Sequence, residues 1–196
     1  MDVRARFGFR VVLVHLAIVA IFGIWWPHMR GVDFFDPVFL TAYACLGVLF
    51  AGPAAAQAFA DRPASMREAM SKIGFAVLYG EFKSVVILLA GIMTVLRSSP
   101  IGPEWIGLIE AAVLGVAGSF AMASVAGWVA LRFSPVAARQ VLRILFLGLL
   151  LLFFFRSRWL PDVVGRGISI STGIAVLAVF AIQRAISRGS TQIHAD

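Results

Sequence analysis

Glu81 and Lys83 stand inside an apolar run that ends at Leu96, and this pair constrains the fold more than any other feature of the chain. A charge near the centre of a bilayer costs about 2.5 to 3.5 kcal/mol on insertion scales, so such residues turn toward protein or a water-filled cavity. Other helices must then surround the segment that carries them. Composition makes the bilayer the expected solvent: 61% of the 196 residues are hydrophobic and 14% are charged, with a mean hydropathy of +0.94. Soluble domains hold roughly 45 to 50% apolar residues.

Apolar segments and their breaks predict an all-α polytopic bundle occupying 1–196 as one transmembrane domain. Its six spans fall at about 11–26, 38–60, 73–96, 105–131, 138–155 and 164–186. Each approaches the length of about 20 residues that crosses a hydrocarbon core, which leaves no room for a soluble catalytic domain. The first span ends in Trp25-Trp26-Pro27 without a small-residue cleavage pattern, so it reads as a retained helix rather than a signal peptide. The expected cytoplasmic side holds eleven basic residues at the N-terminus, the two inner connections and the tail, whereas the other side holds five. That excess orients both termini toward the cytoplasm. Dispersal of the 17 basic residues between apolar segments also argues against a nucleic-acid surface, despite the net charge of +7.

Three groups of residues are candidates for function. The first is an intramembrane polar site at Tyr79, Glu81 and Lys83. From the expected inner end at Ile73, Glu81 lies about 12 Å and Lys83 about 15 Å along the helix. Two residues apart means about 200° of rotation, so the two charges need separate partners, while Tyr79 lies one turn before Lys83. A polar cavity or gate is one reading, and a structural interhelical bond is the other. The second group is Arg62, Arg67, Glu68 and Lys72 in the first inner connection, Asp61 to Lys72. Its apolar residues at helical spacing suggest a short interfacial helix, either a docking surface for a cytoplasmic partner or a plain connector. The third is a face of small side chains on the fourth span, Ala111, Gly115, Ser119, Ala123 and Gly127. This stripe allows close helix approach and predicts a central helix, or alternatively a dimer interface. Gly52-Pro53 in the second span reads as a hinge or as a static kink, Ser134-Pro135 as a helix start, and Glu110 as a shallow carboxylate near the outer headgroups.

No catalytic or cofactor pattern emerges. The chain lacks G-x-S-x-G, H-E-x-x-H, C-x-x-C and a Walker phosphate loop. Its histidines, His15, His28 and His194, fall in separate compartments of the expected topology, and the lone Cys45 rules out an internal disulfide and reads as a packing residue. No cofactor is expected, and the chain is read as a non-enzyme; an intramembrane enzyme using Glu81 and Tyr79 is the remaining alternative.

Six spans, an amphipathic inner connection within the segment Phe59 to Tyr79, and the Ser-Pro-x-Ala-Ala pattern within Arg132 to Leu145 resemble the permease subunits of ABC-2 type transporters. DRPASMREAM stands where that family carries an acidic-arginine-glycine-threonine signature. The resemblance implies paired permeases in a bacterial cytoplasmic membrane, with a separate ATP-binding cassette subunit docking on Asp61 to Lys72. The alternative reading is a non-catalytic scaffold or assembly subunit, with lipid and homo- or hetero-oligomeric partners.

Overall fold

The computed structural model describes residues 37–95, 105–138, 140–142, 144–145, 148 and 163–193. Every regular element among them is helical: α1 (Pro37–Ala58), α2 (Met66–Val95), α3 (Trp105–Arg132) and α4 (Val163–Ile193), with further helix over 135–148 where described. The expected first span, its His15, His28 and His194, and the end of the fifth span lie outside the described residues.

Local sequence accounts for the helix ends. Pro37 opens α1, where its missing N–H is no loss. The helix continues through Pro53, which lies on its exposed face. At the far end the Phe59 amide donates to the Ala55 carbonyl, 2.9 Å, and Pro63 comes shortly after. Ser65 then caps α2, its hydroxyl accepting from the Glu68 amide at 3.2 Å, while the Glu68 carboxylate accepts from the Ala64 amide at 2.8 Å. This Ser-x-x-Glu arrangement is a capping box shifted by one residue, its carboxylate taking the amide that precedes Ser65, and it satisfies two backbone amides. α3 ends before Ser134-Pro135 because the proline ring disfavours helical backbone at the residue preceding it. Ser134 caps the 135–148 segment, accepting from the Ala137 amide at 3.1 Å.

The inner connection differs from the sequence expectation. Asp61 to Lys72 does not contain a separate interfacial helix: residues from Met66 onward are the first turns of α2, continuous to Val95. Ala69, Ile73, Ala76, Val77, Gly80 and Ser84 are all buried and keep one helical phase, and no proline interrupts it. The inner connection therefore shrinks to a turn.

Neighbouring residues give the helix directions. Along α1 and α3, Val48 meets Gly118, Gly52 meets Met122 and Phe59 meets Gly127, so both run the same way. α4 is parallel to them, with Gly167 against Leu114 at one end and Arg62 of the α1–α2 turn donating to the Ala185 carbonyl toward the other, 3.3 Å. α2 returns antiparallel to α1. Leu142 packs on Gly52 beside Met122, so the 135–148 segment climbs back alongside α1 and α3. α3 is the hub, packing on α1, α2 and α4, whereas α2 and α4 barely touch.

Among the described residues, two helical stretches are long and apolar enough to cross a membrane, Ala112–Arg132 and Gly165–Arg188, and Leu46–Ala58 is an apolar stretch within the 22-residue α1. Only 17% of the Gly165–Arg188 stretch is buried, which a core helix of a soluble protein would not tolerate. On α2, Phe75, Leu78, Phe82, Val85 and Leu89 form an exposed apolar stripe on the face opposite the buried one.

Candidate functional site

The centre of the bundle is built from small side chains. Gly115, Ser119, Ala123 and Gly127 of α3 are buried, and Ala111 lies on the same helix one turn before Gly115. Ser119 and Gly127 face helices of the same chain: the Ser119 hydroxyl lies against Gly47 of α1, the Gly127 backbone packs under the Phe59 ring, and a Cβ on Gly127 would lie 2.9 Å from the ring carbons. Because these contacts lie inside the bundle, the stripe is not a free dimer interface.

α1 and α2 meet still more closely. A Cβ on Gly80 would lie 2.5 Å from the Gly47 carbonyl oxygen and 3.0 Å from the Ala51 amide nitrogen. Only glycine lets these backbones touch. Gly47 has a second role, since a side chain there would fall onto the Glu81 carboxyl and within 3.1 Å of the Ser119 hydroxyl. The space left by one glycine is filled by the carboxyl of the neighbouring helix.

Glu81 is held in that space. Ser119, itself fully buried, donates its hydroxyl hydrogen to Glu81 Oε1 at 2.6 Å. A carboxyl from α2, a hydroxyl from α3 and a glycine from α1 thus form one polar contact where three helices meet. The contact is an interhelical hydrogen bond between α2 and α3. Lys83 is elsewhere: its Nζ lies 5.2 Å from the centre of the Tyr79 ring, within cation–π range, on the opposite flank of α2. The three residues are therefore two sites, Glu81 with Ser119 and Lys83 with Tyr79, and Tyr79 is not beside the carboxyl that an intramembrane enzyme would use.

Ser124 contrasts with Ser119. It is also fully buried, yet its hydroxyl has no hydrogen-bond partner among the described residues. Among those residues, no three of His, Cys, Asp and Glu stand together as a metal site. Glu110 is exposed on α3.

The proposed docking residues do not form one surface. Lys72 Nζ donates to the Asp61 carbonyl at 2.6 Å and pairs with Glu68 Oε1 at 3.1 Å. Bonding to the Ala64 amide, then to Lys72, holds the Glu68 carboxyl below its ordinary range. Glu68 and Lys72 thus clamp the turn, while Arg62 reaches to α4 and Arg67 is exposed. The Ser65-x-x-Glu68 spacing is a readable capping signal, and sequence reasoning missed it by treating Glu68 as one charge of an amphipathic face.

No protein-family model, curated protein or solved structure matches the chain.

Proposed function

We propose that the protein is a six-span integral membrane subunit with both termini in the cytoplasm of a bacterial cell, and that it serves as the permease-like part of a transporter energised by a separate ATPase. Alternation of helix direction supports the membrane layout: α1, α3 and α4 run one way, whereas α2 and the 135–148 segment return. The α2 and α4 apolar faces are surfaces for lipid. The observation that carries a transport role is the Glu81–Ser119 contact, a carboxyl inside the bundle where α1, α2 and α3 meet. Intramembrane carboxyls mark substrate and ion pathways, and the small residues around this one let helices shift without large side chains having to repack.

Arg62 and Arg67 are the exposed cations at the α1–α2 turn and form the docking point under this reading. The test is mild detergent extraction of the tagged chain from its native host, with identification of copurifying proteins. A nucleotide-binding ATPase is expected, and Arg67→Glu should weaken its recovery. Absence of any ATPase, with no loss of a transport phenotype in Glu81→Gln, would remove the permease reading.

A second reading, a non-catalytic assembly subunit, is favoured by the engagement of Glu68 and Lys72 within the turn. It predicts stable copurification with a membrane complex that lacks an ATPase and is insensitive to Glu81→Gln.

A further inference from the structure

The exposed face of α4 changes character along its length. Ile174, Leu177 and Phe180 are exposed and apolar, and Arg184 and Arg188 continue the same face toward the end that also holds the α1–α2 turn. Arg184 lies over the Phe180 ring, 4.7 Å from its centre. That stacking fixes the guanidinium at the boundary between the apolar face and the basic end. Arg62 arrives from the other side, donating to the Ala185 carbonyl at 3.3 Å, a bond that leaves its other donors for a ligand. α4 contains no acidic residue, and the nearest carboxylate in sequence to Arg62 is Asp61, exposed on the turn.

We propose that this face binds one anionic phospholipid, its phosphate between Arg62 and Arg184 and an acyl chain along Phe180, Leu177 and Ile174. The inference rests on the membrane reading above. An exposed apolar helix face that ends in cations is complementary to a phosphodiester on a hydrocarbon tail, and guanidinium forks suit phosphate oxygens. A zwitterionic lipid fits the apolar part equally but carries no net charge to the arginines. The preference is therefore electrostatic and local to one end of one helix.

The test uses the full chain reconstituted into nanodiscs of phosphatidylcholine with a minority of phosphatidylglycerol, with retained lipids identified by native mass spectrometry. Phosphatidylglycerol should be enriched over its bulk share by about fivefold for each arginine engaged, from the usual worth of a basic residue at an anionic surface. Arg184→Gln with Arg62→Gln should abolish the enrichment, and Arg166→Gln, at the opposite end of the same helix, should leave it intact. Retention of the two lipids in their bulk ratio by the wild type would overturn the assignment and make an acidic protein segment the better occupant. Equal loss in Arg166→Gln would also overturn it, since diffuse charge would then explain the effect. A chain that enters no bilayer at all would instead defeat the membrane reading, a distinct result visible before any lipid is identified.

Discussion

Substituting alanine for Gly80 puts the packing account to its sharpest test, because intrinsic helix preference and the observed contacts predict opposite signs. Glycine inside a helix is about 1 kcal/mol less favourable than alanine, so preference alone makes Gly80→Ala stabilising. The new methyl would sit 2.5 Å from the Gly47 carbonyl oxygen and 3.0 Å from the Ala51 nitrogen. Both are backbone atoms and cannot rotate away. α1 and α2 must part by about 1 Å to recover normal van der Waals separation, and overpacking of this kind costs about 1 to 3 kcal/mol. The Glu81–Ser119 bond lies next to the displaced contact and stretches with it. A net loss of about 1 kcal/mol is expected, the overpacking cost less the helix-preference gain. Gly74 and Gly173, where a Cβ meets nothing within 4 Å, provide the controls; alanine at either should be neutral or stabilising by up to about 1 kcal/mol. Unfolding by SDS in mixed micelles, tracked by tryptophan fluorescence and far-ultraviolet circular dichroism, measures all three. If Gly80→Ala proves as stable as Gly74→Ala, the close α1–α2 approach is not how this protein packs.

Other consequences can be checked in the same assay. Ser119→Ala should cost about 0.6 to 1.7 kcal/mol, the range of interhelical hydrogen bonds in membranes, and a double-mutant cycle with Glu81→Met should show coupling of that order; independent, additive effects would refute the pairing. Ser124→Ala should be neutral or stabilising by up to about 1 kcal/mol, since it removes a buried hydroxyl with no partner among the described residues, and a clear loss of stability would contradict the observed environment. Because its folded-state pKa is depressed, Glu68 contributes stability above its unfolded pKa, and this is lost as pH falls through the lower folded value. The stability difference between wild type and Glu68→Gln should accordingly shrink to nothing on acidification, and a pH-independent difference would show that the carboxylate charge is irrelevant to the turn.

The α3 stripe was legible because five small residues recur every fourth position, and four of them are buried where described. The same signal runs through Gly47, Ala51 and Ala55 of α1 and through Ala76, Gly80 and Ser84 of α2, all buried. It is harder to read there because in α1 the Gly52-Pro53 break draws attention to backbone distortion, and in α2 the two charges dominate. Separate partners for Glu81 and Lys83 could be deduced from two-residue spacing alone. Ser119 as the partner could not, since spacing within one helix says nothing of the rotation of the next. The start of α2 was misjudged for a related reason. Amphipathic periodicity looks the same in an interfacial helix and in the first turns of a longer buried one, and the Ser65 cap with its continuous buried phase distinguishes them.

The partnership of Glu81 with Ser119 spans 38 residues of chain, and this separation matters during synthesis. Ribosomes add about 5 to 20 residues each second, so several seconds pass between the emergence of the carboxyl and that of its hydroxyl donor. Gly47, made earlier, is already there to receive the acid, but α3 is not. Under the proposed membrane layout, the nascent α2 must in that interval be sheltered by the insertion machinery or stay near its aqueous edge, and its release into lipid awaits the later helix.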